Sequence, residues 1–366
     1  MKLKENILDS IGNIDLWDYL KNVKKPILIY GMGNGADKII DTLSSYGIEY
    51  CDVFASDDFV RGHSYRGRRV LSYSEAKKIY GDFVILLSFG SKLDNVLSHI
   101  YELDKENELY APDVPIAGKD LFNLSFFSKN YPLFEEARNL LSDERSIQVY
   151  DNVIKYKLSG KISFLREIED SEDDVGNILN YDSFESYLDL GAYNGDTIKK
   201  YLKLCPKLKK IYAFEPDIKN FKKLSSLELN YPDLDLNLYN MASYSSDTTL
   251  YFSQSGNRNS SISATPSYES KTLNIQAVRP DEYIDKVDFI KFDVEGNEFE
   301  SLKGCQKIID NSNPQMLISV YHRSDDLFKI PIELNKMNSS YKMYLRKHKY
   351  IPSWDLNLYV KTGLPR

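Results

Sequence analysis

Asp293, Glu295 and His322 are residue types that move protons, and each stands just beyond an apolar run. The acids follow Phe289-Ile-Lys-Phe292, and the histidine follows Met316-Leu-Ile-Ser-Val320. Transferring a group to an alcohol oxygen needs a positioned oxygen and a nearby base to take its proton. His322, one of 4 histidines, is the natural base at neutral pH. Asp293 and Glu295 are the substitutes, and Asp293 is also expected beside the transferred group. The two acids lack the dense oxygen set of a protein-built cation site, so no metal is expected.

Upstream, Tyr187-Leu-Asp-Leu-Gly-Ala-Tyr-Asn-Gly-Asp-Thr197 takes an apolar strand into a glycine-bearing turn. Ile198, Tyr201 and Leu202 then continue with helical spacing. A second apolar run, Lys210–Phe214, ends in Glu215-Pro216-Asp217. A turn open to a ligand, followed one strand later by an acid that can grip a ribose, is nucleotide-type chemistry. The spacing is not Gly-x-Gly-x-x-Gly, which brings a diphosphate onto bare backbone at a helix N-terminus. Only Gly191 and Gly195 are present, and Asp189 and Asp196 add negative charge. This suits a phosphate-free ligand with a positive centre, and S-adenosylmethionine is such a ligand.

The expected cofactor contacts are Asp189, Gly191, Ala192, Asn194, Gly195, Thr197, Glu215, Pro216, Asp217, Ala242 and Asp293. Glu215 is expected to accept from both ribose hydroxyls. Asp189 either orients the turn or reaches the methionine amine. Thr197 and Asp217 are equally readable as helix caps.

These residues need strands to bring them together. Tyr187–Leu190, Ile211–Phe214, Leu236–Tyr239, Phe289–Phe292 and Met316–Val320 read as strands alternating with helices, which implies a parallel sheet. Ligands then collect at the C-terminal strand ends. A β-rich insertion, with Thr249–Phe252 and Leu273–Ala277, interrupts the pattern. An earlier alternation uses Pro26–Tyr30, Tyr50–Phe54 and Phe83–Leu87, with helices after Gly31-Met-Gly-Asn-Gly-Ala36, at Ser74–Tyr80 and at Asp94–Leu103. Its glycine turn nearly matches a dinucleotide fingerprint, and Asp57 and Asp58 end its second strand. Between the two lies a helical stretch containing Phe134–Leu141.

The chain has 366 residues, 42% of them apolar, enough for two domains with their own cores. Lys and Arg number 47 against 54 Asp and Glu, a net charge of −7, which argues against a nucleic-acid footprint. The basic clusters Arg66–Arg69 and Arg346–Lys349 read as solvated faces. Three scattered cysteines, Cys51, Cys205 and Cys305, form neither a disulfide framework nor a zinc set. No leader or membrane span is legible, so a cytoplasmic location is expected.

In order, Asp189-Leu-Gly-Ala-x-x-Gly-Asp-Thr197, Phe214-Glu-Pro-Asp217, Ser260-Ser-Ile262, Phe289-Ile-Lys-Phe-Asp-Val-Glu-Gly-Asn-Glu298, Leu302-Lys-Gly304 and Val320-Tyr-His322 resemble the FkbM family of S-adenosylmethionine-dependent methyltransferases. The likeness runs from about residue 135 to 360. Arg279-Pro-Asp281 and Asn297 depart from the family's usual residues. The resemblance implies a class I methyltransferase fold and O-methylation of a sugar, glycan or glycosylated metabolite.

The expected architecture is α/β: two doubly wound Rossmann-like domains, 1–118 and 181–366, joined by a helical connector at 119–180. The first resembles nucleotide-sugar-binding domains, a packing or homodimerising role being the alternative. Two rival functions remain at this point: an oxidoreductase or epimerase using NAD at Gly31–Ala36, and a non-catalytic nucleotide-sugar-binding protein.

Overall fold

The computed structural model describes residues 3–60, 62–253, 261–263 and 272–363. Two parallel sheets dominate, each with central strands that are continuous apolar runs because helices cover both faces.

The first sheet contains β1 (Ile27–Tyr30), β2 (Asp52–Ala55), β3 (Leu71–Ser72), β4 (Val84–Leu87) and β5 (Glu108–Tyr110), in the order β3-β2-β1-β4-β5 and parallel throughout. Every residue of β1 and β4 is buried. The order reverses beside β1, where α1 (Asn34–Ser45) starts at Gly33. Gly33 has φ +96°, and a Cβ on Gly35 would lie 2.0 Å from the Ser88 carbonyl oxygen. The glycines therefore let the helix lie against the end of β4. β3 and β5, both short edge strands, are missing from the sequence reading.

Two long helices follow, α2 (Leu124–Asn139) and α3 (Glu144–Ser159), capped by Asn123 and Asp143. They pack on the second sheet. Phe134 of α2 meets Phe328 edge-on at 4.9 Å, and Leu141 and Glu169 make bridges to Met343 and Lys347.

The second sheet contains β6 (Ser186–Leu190), β7 (Lys210–Phe214), β8 (Asp235–Tyr239), β9 (Phe289–Phe292), β10 (Gln315–Ser319), β11 (Tyr341–Lys347) and β12 (Leu356–Thr362). Its order is β8-β7-β6-β9-β10-β12-β11, and β12 alone runs against the others. The switch point lies between β6 and β9, whose register pairs Asp189 with Lys291. A four-stranded sheet of Ala242–Ser243, Thr248–Ser253, Ser261–Ser263 and Thr272–Val278 forms the expected β insertion.

The cluster Arg346–Lys349 is not the solvated face expected. Arg346 is 7% and Lys347 0% exposed. Arg346 pairs with Asp143 at 2.6 Å. The Lys347 ammonium donates to the carbonyls of His348 and Tyr350, and burial lowers its pKa to about 8. Both sit on an edge strand that α3 covers, so the charges serve packing. The cysteines are free thiols. Among the described residues, no helix is long and apolar enough to cross a membrane.

Candidate active site

β6 ends in a tight turn, and α4 (Asp196–Leu204) begins immediately after it. Gly191 has φ +84°, and a Cβ there would lie 1.9 Å from the Asp293 carbonyl oxygen. The glycine is thus explained by the loop after β9 pressing on the loop after β6. Gly195, at φ +81°, starts α4, and Leu227 blocks its Cβ position at 2.4 Å. Ala192 is fully buried and its amide donates to the Phe214 carbonyl. Tyr193, in the left-handed region at φ +50°, is exposed, and Asn194 beside it is half-buried.

Asp189 is buried at 0% exposure. Its carboxylate accepts from the Thr197 hydroxyl at 2.9 Å and pairs with Lys291 at 3.4 Å. Burial pushes its pKa up, against the pull of Lys291 and Thr197. Asp189 therefore braces the turn, and Thr197 ties to that brace. Lys291 also reaches Asp293 at 3.5 Å and the Gly191 carbonyl at 3.3 Å. Burial alone lowers a lysine, but Asp189 and Asp293 hold this ammonium well above its ordinary range. Lys291 links both loops, yet the reading of site residues omits it. The available signal was a lone charge in the otherwise apolar run Phe289–Phe292.

At the end of β7, Glu215 is 6% exposed. Its two oxygens each accept one backbone amide, from Tyr193 and Asp217, both at 2.8 Å. Burial raises its pKa to about 7 against these amides, with Asp217 and Asp189 adding to the rise. A carboxylate has about four lone-pair sites, so each oxygen keeps room for a hydroxyl. Asp217 caps α5 (Ile218–Ser225), accepting from the amides of Lys219 and Asn220. Pro216 is half-buried, and its carbonyl accepts from Asn240. Ala242 is buried and packs with Leu250, Ile275 and Ala277 in the small sheet's core. Ser260 lies outside the described residues.

After β9 the chain turns sharply, with Glu295 at φ +54° and Gly296 at φ +95°, into α6 (Glu298–Lys303). A left-handed non-glycine residue costs of order 1–3 kcal/mol, and such strain collects at functional sites. The strained loop sits against His322, beyond β10. His322 is 2% exposed. Its Nδ1 lies 2.8 Å from Glu298 Oε1, a close ion pair without hydrogen-bond alignment. Its Nε2 faces Asp293 Oδ1 at 3.7 Å and Glu295 Oε2 at 3.6 Å. Burial alone lowers a histidine, but Glu298 first, then Asp293 and Glu295, hold this ring protonated with a pKa of about 10. Lys291 and His322 keep Asp293 low despite burial. Glu295 rises to about 7 from enclosure and from Asp293 and Glu298, against His322, although half of its side chain meets solvent.

Glu298 closes the sequence motif that begins at Phe289, but the sequence reading gives it no role. It is fully buried, and Oε1 takes the amides of Val294 at 2.9 Å and Gly296 at 3.3 Å. One ligand atom each from Asp293, Glu298 and His322 lies within 4.8 Å of the others, close enough for a cation.

A seven-stranded sheet in this order, with one reversed strand and its loops converging on the switch point, is the class I methyltransferase fold. Residues 189–352 match the family described as the methyltransferase FkbM domain. This part of the chain belongs to the FkbM methyltransferases. Methyltransferase FkbM from Methylobacillus flagellatus KT shares the fold over 98% of this chain and 93% of its own, at TM-score 0.70 and 19% identity. Two weaker likenesses cover about half the chain. A methyltransferase-like protein of Streptococcus mutans, solved with SAH, is 12% identical over 54% of this chain and 99% of its own, at TM-score 0.35. Aeropyrum pernix fibrillarin, solved with S-adenosyl-L-methionine, is 13% identical over 50% and 68%, at TM-score 0.31. No curated protein matches the chain.

Proposed function

We propose that the protein is an S-adenosylmethionine-dependent O-methyltransferase acting on a sugar hydroxyl. The carrying observation is that two loops from opposite sides of the switch point are locked together. Gly191 contacts Asp293, and Lys291 ties Asp189 to Asp293. The ribose-type acid Glu215 and the proton-handling cluster thus share one rigid frame.

The residues fit the methyl donor. Glu215 retains acceptor capacity for a ribose diol, and the left-handed Tyr193 holds the turn open beside it. When bound, S-adenosylmethionine supplies an electrophilic methyl on a sulfonium. Asp293, nearest both loops, would stand beside that methyl. The gaps of 3.6 and 3.7 Å from His322 Nε2 to Glu295 and Asp293 exceed a hydrogen bond. A hydroxyl entering there is held by the imidazolium, which stabilises the charge growing on oxygen. Because His322 already carries its proton, we assign the hydroxyl proton to Glu295, whose pKa is near the working pH.

We read the cluster as proton-handling because Glu298 Oε1 is already occupied by two amides and by His322. The test is incubation with trideuteromethyl-labelled S-adenosylmethionine and a fraction of cellular glycans and glycolipids. We expect the label on a sugar hydroxyl. Label found only on protein, nucleic acid or nitrogen overturns the reading.

A further inference from the structure

A cavity of about 440 Å³ lies at the C-terminal ends of the first sheet, in the range of small-molecule sites. Its lining includes Asn34, Ser88, Phe89, Asp113 and Trp354, and none of Gly191–Glu215. It therefore opens onto neither the proposed donor turn nor Asp57 and Asp58. A narrow crevice lined by Tyr321, His322 and Arg323 shares Asp113, Val114, Ile116 and Trp354 with it. The two spaces share these four residues, so the cavity's wall adjoins the residues packed beside His322.

Its walls have a definite chemistry. Trp354 and Phe89 supply aromatic surface. Asn34 Oδ1 is buried without a partner, an acceptor lacking its donor. Asp113 is held by Lys157 at 3.0 Å through both oxygens, which leaves further lone pairs. Lys38, the cation lining the cavity, is engaged by the carbonyls of Pro115 and Ile116. An acceptor without a partner, a carboxylate with spare lone pairs, aromatic faces and an engaged cation suit a neutral ligand rich in hydroxyl donors.

We infer that the first sheet supplies the acceptor site: a carbohydrate ring lies against Trp354, donates to Asn34 and Asp113, and presents a hydroxyl toward His322. This rests on reading the second sheet as the methyl-donor half. The segment between the halves also fits this role. The Ala117 amide donates to the His322 carbonyl, and the Ser324 hydroxyl donates to the Asp120 carbonyl. A Cβ on Gly296 would lie 2.3 Å from that of Ala117. The segment that follows Ile116 of the cavity wall is therefore in direct contact with the catalytic loop.

The test is saturation-transfer NMR on the full chain saturated with S-adenosylhomocysteine. The probes are the methyl glycosides of glucose, mannose, galactose, rhamnose and N-acetylglucosamine, with UDP-glucose as a separate arm. We expect transfer to at least one glycoside, reduced about five-fold in Trp354→Ala and in Asn34→Leu, while calorimetry shows unchanged S-adenosylhomocysteine affinity in both. The inference is overturned by transfer that survives both variants. It is equally overturned by no transfer to any glycoside from protein that binds S-adenosylhomocysteine, or by UDP-glucose transfer confined to the uridine. Loss of S-adenosylhomocysteine binding in the wild type is instead a failure of the donor reading.

Discussion

His322 shows how environment redefines a residue type. From sequence it is a neutral base, but three carboxylates around a buried ring hold it as a cation with a pKa of about 10. The rate against pH then reports Glu295. We expect kcat/KM to rise as pH passes through about 7 and Glu295 ionises, and Glu295→Gln to be slow and to lack this limb. An unchanged limb in that variant would move the proton acceptor elsewhere. His322 also links stability to pH. Its folded pKa lies above its unfolded value of about 6.5, so its contribution is complete below that value and is lost as pH rises toward about 10. Stability measured by urea denaturation should fall across that window in the wild type. The fall should be smaller in Glu298→Gln, which starts less stable because His322 loses its nearest carboxylate. Equal slopes in the two proteins would show that Glu298 does not hold the proton. Neither the role of Glu298 nor the charge of His322 is visible in sequence. Both depend on a loop folding back so that one carboxylate gathers two amides and the ring.

At the scale of elements, the sequence is more informative. The runs at 27–30, 84–87, 186–190 and 289–292 are strands because central parallel strands, covered on both faces, are mostly apolar, and the charges within them, Asp189 and Lys291, pair with each other. The strands missed are edge strands, β3 and β5, and the last pair, β11 and β12, whose buried Arg346 and Lys347 disguise them. Gly191 was legible as a turn glycine, but its reason was not. The 1.9 Å approach of the Asp293 carbonyl involves a residue about a hundred positions away. Gly191→Ala should therefore cost more than an ordinary positive-φ substitution, about 2–4 kcal/mol in urea denaturation, and weaken cofactor binding too. A loss below about 1 kcal/mol, the backbone term alone, would show that the two loops yield easily.

At the scale of the molecule, two α/β halves meet through their loops beside His322. The second carries the family's residues, and the first carries a cavity of about 440 Å³ that shares walls with the crevice at His322. The M. flagellatus structure shares the fold over nearly the whole chain. The halves are joined by Ser91 and Ile351, which pair backbone to backbone, and by Ala117 on His322. Sequence periodicity sees each half but not this junction, because its contacts join loops. The account stands or falls on the donor site. Its most direct test is a calorimetric titration of the intact chain with S-adenosylhomocysteine, wild type against Glu215→Ala. The prediction is one site per chain in the wild type and at least about ten-fold weaker binding in the variant, from loss of charged-acceptor hydrogen bonds. No binding by folded wild type, or equal affinity in the two proteins, would contradict it.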